Sequence, residues 1–246
     1  MLSKNQIKLI KSLSLKKNRQ QNGLFIVEGI KGISEFLNSD FKLKSLYTTK
    51  SIFEAPQPLV IEITEAELKK ISVLKNPNTA LAIFEIPKQN QSTAGGLVIA
   101  LDDVRDPGNL GTIIRLCDWY GITDLVCSFN TVDCFNNKVV QATMGSLTRV
   151  NVQYVDLENY IESSNLPVYG TLLEGDNIYT SILEQQGIIV LGNEANGISE
   201  AVKATIERKL TIPQFGKNKA TESLNVANAT AIVLSEFKRR TIEKLN

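Results

Sequence analysis

The chain has no histidine among its 246 residues. That absence excludes every Ser–His or Cys–His catalytic dyad, and with it the usual Cys/His zinc site. Cysteine is scarce too. Cys117, Cys127 and Cys134 form no CxxC pair, and their odd number argues against a disulfide framework. Unbroken apolar runs such as Ile188–Leu191 last only a few residues, against the roughly 20 needed to cross a bilayer. The stretch from Met1 to Gln21 is polar and lysine-rich, without the apolar centre of a signal peptide. Neither GxGxxG nor GxxxxGK[ST] occurs, which disfavours a nicotinamide cofactor or a P-loop nucleotide. These absences predict a cytoplasmic protein that holds no metal and whose chemistry runs without imidazole.

What is present is ordinary in bulk and uneven in placement. With 43% hydrophobic and 22% charged residues, the composition is that of a globular protein, and the length allows one large domain or two modest ones. The net charge of +1 hides an asymmetry. Residues 1–96 carry 14 basic and 8 acidic side chains, whereas residues 97–246 carry 13 and 18. Most of the positive excess lies up to Lys50, where only Glu28, Glu35 and Asp40 oppose it. A basic front on an acidic back suggests a polyanion-docking module joined to something else; lysines that merely solvate helix faces are the alternative.

The polar, glycine-rich segment 88–96 (KQNQSTAGG) reads as a linker between domains at 1–87 and 97–246. The front domain alternates short elements: helices over Asn5–Lys17, Ile30–Leu37 and Glu65–Leu74, and strands over Leu24–Val27, Leu43–Thr48, Leu59–Ile63 and Ala80–Ile86. It is therefore a small α/β or α+β domain. In the back domain, apolar strands at Leu97–Leu101, Asp124–Ser128, Val150–Tyr154, Val168–Leu172, Ile188–Leu191 and Lys209–Ile212 alternate with helices. The helices fall at Pro107–Tyr120, Asn136–Leu147, Ile198–Ile206 and Glu222–Arg240. Continuous apolar strands between amphipathic helices predict a parallel sheet covered on both faces.

In such a sheet ligands bind beyond the carboxyl ends of the strands. Three stretches of that kind are polar and rich in glycine: 102–115 (DDVRDPGNLGTIIR), 192–199 (GNEANGIS) and 213–228 (PQFGKNKATESLNVAN). Asn109 falls in the first turn of its helix, where free amides and the dipole favour an anion. Arg115 follows six residues later, with a side chain that leans back towards that end. Asn109 as a cap, and Arg115 paired with Asp106 or Asp118, are the structural alternatives. Glu194 sits in a turn directly after a strand, and Ser223 and Asn225 open the last helix. For these three, capping competes with catalysis.

The stretches 100–115 (ALDDVRDPGNLGTIIR), 188–199 (IIVLGNEANGIS) and 210–234 (LTIPQFGKNKATESLNVANATAIVL) resemble, in order and spacing, the three signature motifs of the SpoU (TrmH-like) RNA ribose 2′-O-methyltransferases of the SPOUT superfamily. The front domain, with Arg19 followed by Phe25-Ile26-Val27-Glu28-Gly29, is similar to that family's small α/β, ribosomal-protein-like substrate-binding domain. The resemblance implies a parallel α/β SPOUT domain whose C-terminal segment threads a trefoil knot, a rare exception to unknotted topology. It implies a homodimer formed through the knotted domain and S-adenosyl-methionine as cofactor. Carried over by position, the catalytic group is Asn109, Arg115, Glu194, Ser223 and Asn225, and the cofactor contacts are Thr171, Leu172, Leu191, Gly192, Ile212 and Leu224. Lys16, Lys17, Arg19, Lys217 and Lys219 are the candidate RNA contacts. The expected substrate is RNA, with ribosomal RNA ahead of transfer RNA; an inactive RNA-binding factor of the same fold is the rival. Two departures stand out. Ala195 replaces the usual glycine after Glu194, and the run between Gly216 and Glu222 is longer than usual, which implies a remodelled loop ahead of Ser223.

Overall fold

The structure, a computed structural model, describes residues 2–88, 95–216 and 223–243, the last three of these by backbone alone. It divides into two compact units, Met1–Gln89 with Asp133–Thr148 and Asn90–Val132 with Arg149–Asn246.

The first unit opens with α1 (Lys4–Ser12), started by a capping box in which Ser3 Oγ accepts from the Gln6 amide (3.2 Å) and Gln6 Oε1 from the Ser3 amide (2.8 Å). The periodicity predicts one helix over Asn5–Lys17, but α1 stops and α2 (Lys16–Asn22) begins afresh. Ser12 and Ser14 turn their hydroxyls onto the carbonyls of Leu9 and Lys11 (2.7 and 2.8 Å), which favours a turn over continued helix. The carbonyls of Leu13 and Ser14 are then taken by the Arg19 guanidinium, both at 2.9 Å. Arg19 also grips Asp133 at 2.5 and 3.0 Å and is 1% exposed. Its expected role as an RNA contact is thereby corrected: the guanidinium is buried as the clasp of the α1–α2 turn, out of reach of a polyanion.

The unit continues with β1 (Leu24–Glu28), α3 (Ile30–Leu37), β2 (Leu43–Thr48), β3 (Val60–Glu62), α4 (Glu65–Ile71) and β4 (Ala80–Glu85). The sheet runs β1-β4-β2-β3, with β4 antiparallel to both its neighbours and β2 parallel to β3. Ile10, Leu13, Ile26, Leu68, Ile71, Leu81 and Ile83 form one buried cluster. Phe25, Phe36, Phe41 and Phe84 form an aromatic one, and Phe135 of the 133–148 segment stacks on Phe25 at 4.7 Å between centroids. Each side chain among these that is fully buried, such as Phe25, Phe36 or Ile10, contributes about 1.5–3 kcal/mol of transfer free energy.

The second unit is built on β5 (Leu97–Leu101), α5 (Pro107–Trp119), β6 (Asp124–Ser128), β7 (Asn151–Val155), α7 (Leu157–Glu162), β8 (Val168–Asn177), β9 (Gly187–Leu191), α8 (Glu200–Ala204), β10 (Arg208–Thr211) and α9 (Val226–Glu243); α6 (Asn137–Thr143) lies in the segment grouped with the first unit. All pairings in the sheet β10-β8-β9-β5-β6-β7 are parallel, as the apolar runs predict. β5 and β9 are buried along their whole length. Three differences have local causes. The helix expected over Asn136–Leu147 ends at Thr143, because Met144 and Gly145 turn to φ +53° and +99°. α7 is only six residues long, too short for periodicity, and is marked by its Asp156 cap. β8 extends to Asn177 because β10 pairs with it across a register shift at Lys209/Leu210.

Candidate active site

The sheet places the site. β5 and β9 are neighbours whose last pair is Leu101 with Leu191, and the Asp102 amide continues the ladder onto the Leu191 carbonyl (2.9 Å). Their carboxyl-end loops therefore emerge side by side. β5 leads to β6 on one flank while β9 occupies the other, so the crevice lies where strand order reverses, the usual ligand position in an open α/β sheet.

Each loop is locally fixed. In the first, Asp103 takes φ +58°, with its amide on Ser128 Oγ (2.8 Å) and its carboxylate held by the Arg105 fork at 2.8 and 2.9 Å. Asp106 caps α5 by accepting from the Asn109 amide at 2.8 Å, with Pro107 in the first turn. In the second, Asn193 and Gly197 exchange backbone bonds of 2.9 Å, and Asn193 Oδ1 accepts from the amides of Ala195 and Asn196. A Cβ on Gly192 would stand 2.2 Å from the Gly197 carbonyl carbon, so only glycine allows this closure. In the third, Asn225 Oδ1 caps α9 by accepting from the amides of Ala227 (3.0 Å) and Asn228 (3.3 Å).

The three loops then join through side chains. Asn225 Nδ2 donates to Asn109 Oδ1 at 2.9 Å, and Asn109 Nδ2 donates to Glu194 Oε1 at 2.7 Å. The direction is forced at both ends. Asn225 Oδ1 already faces two amides, so its nitrogen must point to Asn109; a carboxylate at the far end accepts only. Residues separated by 116 and 85 positions thus form one polarised chain. Capping and bridging prove compatible for Asn225. For Asn109 the cap is Asp106 instead, and the amide of Ser199 before α8 goes to Asp102 Oδ2 (2.8 Å), leaving Glu194 to the chain.

Arg115 is exposed on α5, and its side chain makes no hydrogen bond or ion pair to any of the described residues. Both carboxylates that could have held it are engaged: Asp118 by Arg149 (2.9 Å) and Asp106 by the α5 cap. It is not bonded to the Glu194–Asn109–Asn225 chain. Ser223 is exposed just ahead of Asn225. Of the cofactor candidates, Thr171 donates to the Val190 carbonyl (3.1 Å), Leu191 is buried, Leu172 and Ile212 are half-buried, and Leu224 is exposed. Leu173, whose carbonyl accepts from Thr211 Oγ1 (3.0 Å), and Phe215 also present exposed apolar side chains. Lys16 and Lys17 are exposed on α2, and Lys217 and Lys219 lie outside the described residues.

Sequence reasoning missed two supports. Asn193 Nδ2 donates to the Asp103 carbonyl (2.7 Å), tying the second loop to the first, and buried Asp102 holds the far end of the same loop. An Asn opening a Gly-rich turn, and an acid directly after a buried strand, were the available signals.

These features define an α/β enzyme with a ligand crevice at a topological switch point, in a chain that also contains a separate small α/β unit. Residues 96–235 match the SpoU rRNA Methylase family, and residues 4–82 match the MRM3-like substrate binding domain. The chain belongs to the SpoU family. It is 31% identical to the 23S rRNA (guanosine(2553)-2′-O)-methyltransferase RlmP of Bacillus subtilis, over 96% of this chain and 97% of that one. Among solved structures, a TrmH-family protein from Porphyromonas gingivalis is 39% identical with a TM-score of 0.91, covering 98% and 99% of the two chains. The AdoMet-bound rRNA methyltransferase of Sinorhizobium meliloti is 31% identical with a TM-score of 0.84, covering 98% and 96%.

Proposed function

We propose that this chain is an S-adenosyl-methionine-dependent methyltransferase acting on a ribose 2′-hydroxyl of ribosomal RNA. The observation that carries this reading is the Glu194–Asn109–Asn225 chain, which joins the three family motifs at one crevice. The candidate cofactor residues fit an adenosine bearing a sulfonium. Leu224, 49% exposed, offers apolar surface beside the third loop, and Gly192 lets the second loop close tightly on Gly197 and Ile198. Thr171, Leu172, Leu191, Gly192, Ile212 and Leu224 would hold the cofactor, which when bound supplies an electrophilic methyl group.

The residues of the chain do the rest. A ribose hydroxyl is a poor nucleophile at neutral pH and needs a field that favours the alkoxide. Arg115 supplies it as a fixed cation: its guanidinium does not lose a proton in proteins, so it holds a neighbouring phosphate and stabilises negative charge developing on O2′. The proton passes to a phosphate oxygen or water. Asn109, its amide locked by Glu194 and Asn225, orients the ribose. Ser223 is placed to add a hydroxyl at the same loop.

Three further parts belong to this reading. The substrate is bound through residues 1–87, joined by a linker at 88–96 to the catalytic part, 97–246; exposed Lys16 and Lys17 support the assignment. The C-terminal segment threads a knot, which is supported by topology: β10 is an edge strand, yet α9 packs on α5, which follows the central strand β5. Two copies associate through this part, and Trp119 on α5, 85% exposed, offers apolar surface for the contact. Incubation with tritiated S-adenosyl-methionine and ribosomal RNA from cells lacking the gene tests the activity. Label is expected in 2′-O-methyl nucleosides after complete digestion; label confined to bases, or none, refutes it.

A further inference from the structure

The first unit contains a cavity of about 340 Å³ that the reaction does not use. That volume falls in the range of small-ligand sites, ~300–1,000 Å³. Its lining comes from three separate parts of the sequence. The β1–α3 junction contributes Val27 to Gly32, and Asn78 stands beside it. Val140, Gln141 and Met144 come from α6 and its end, a segment within the residues that match the methylase family rather than the substrate-binding domain. Packing fixes that segment here. A Cβ on Gly145 would meet Glu35 Cγ of α3 at 2.5 Å, so the chain passes flush against α3 at this point.

The chemistry of the lining is mixed. Ile30 and Met144 are large apolar side chains each left 40% exposed, and Met144 holds φ +53°, which is costly for any residue but glycine. Asn78 and Gln141 are exposed amides, each able to donate and accept. Lys31 lies at the rim. Glu28 is buried, with its carboxylate accepting from Ser72 Oγ and from the Val73 amide at 3.0 Å. Burial pushes its pKa up against the effect of those two bonds. A phosphate inside this cavity would face a carboxylate, whereas the flat apolar face and polar edge of a nucleobase meet apolar side chains and amides.

Resting on the methyltransferase reading, we infer that this cavity is a subsite for one unpaired nucleotide of the RNA substrate. Its base lies against Ile30 and Met144, its edge is read by Asn78 and Gln141, and Lys31 meets the flanking phosphate. Single-stranded RNA is recognised in this way, by unstacked bases held on side chains and read at their edges. The methylase-family part of the sequence therefore completes the substrate-binding unit through α6.

The test uses the full chain and a mixed-sequence 20-nucleotide RNA, single-stranded or as a duplex. The Asn78→Ala/Gln141→Ala pair and Met144→Gly, which keeps the left-handed backbone, should each weaken single-strand binding about tenfold. Duplex affinity should hold, and so should the salt slope, because no charge is lost. Lys31→Ala should instead lower the slope by about 0.7. A single-stranded probe carrying 4-thiouridine should cross-link within residues 29–32, 78 or 140–144. Affinities within twofold of wild type together with cross-links elsewhere overturn the subsite, as do equal losses on duplex and single strand. Methyl transfer by the unaltered chain is scored separately. Transfer with those negative results defeats the subsite alone; mapped cross-links without transfer uphold the subsite and defeat the enzymatic reading alone.

Discussion

Asn109→Asp is the most informative single perturbation. Asn109 accepts from Asn225 at 2.9 Å and donates to Glu194 at 2.7 Å. The substitution is nearly isosteric and keeps the acceptor half. Its second oxygen, however, faces the Glu194 carboxylate where an N–H had been. The lost charge-assisted hydrogen bond is worth about 1.5–3 kcal/mol. The new repulsion adds between about 1 and 4 kcal/mol across the range from bulk water to a protein surface, and the exposure of Glu194 favours the lower end. Some of the strain is relieved when Glu194 swings into solvent, so a net loss of about 3 kcal/mol is expected, roughly 10²-fold in methyl-transfer rate. The pH profile carries the distinguishing mark. Two adjacent carboxylates raise the pKa of one of them above its usual ~4. Below that raised value a shared proton restores a donor, so the variant should recover towards the wild-type rate as pH falls, while wild type does not gain. Single-turnover transfer of tritiated methyl to ribosomal RNA between pH 5 and 8 measures this. Wild-type rates throughout that range would refute the reasoning.

Three other outcomes follow from the same geometry. Arg115→Ala should bind S-adenosyl-homocysteine normally by calorimetry yet transfer methyl about 10²–10³-fold more slowly, and Arg115→Lys should be little better, because a point charge lacks the planar fork; a wild-type single-turnover rate refutes the assignment. Asn193→Asp keeps the acceptor that organises its own turn but loses the donor to the Asp103 carbonyl. If the tie between loops is what matters, it should lose activity as Asn193→Ala does; wild-type activity would reduce Asn193 to a local turn residue. Arg19→Ala breaks a buried pair with Asp133 and should destabilise the fold by about 3 kcal/mol in urea denaturation followed by circular dichroism; unchanged stability with weakened RNA binding would restore its surface role.

Much of this was legible in the sequence because the responsible physics is local. The apolar runs Leu97–Leu101 and Ile188–Leu191 announce strands buried on both faces, and Asp106-Pro107 marks where α5 starts. Motif order brought Asn109, Glu194 and Asn225 together as a group. Their connection was not legible, since it depends on β5 and β9 being neighbours, a pairing between strands nearly 90 residues apart. Arg19 was misread for a related reason. A basic residue in a basic stretch looks solvent-facing until the fold delivers Asp133 and two orphaned carbonyls to it. The pocket at Val27 to Gly32 escaped because Val140, Gln141 and Met144, which close it, come from α6 and its end, far along the chain. The break between α1 and α2 escaped because serine hydroxyls, and not apolar spacing, decide it.

The central claim is that Glu194, Asn109 and Asn225 act as one unit although three separate loops supply them. A double-mutant cycle on Glu194→Gln and Asn225→Ala, read in the methyl-transfer rate, tests it most directly. Residues acting as a unit are non-additive, so the double variant should be scarcely slower than the worse single one, with a coupling above about 1 kcal/mol. Losses that add to within about 0.5 kcal/mol would mean that the two side chains work independently, and would contradict the account.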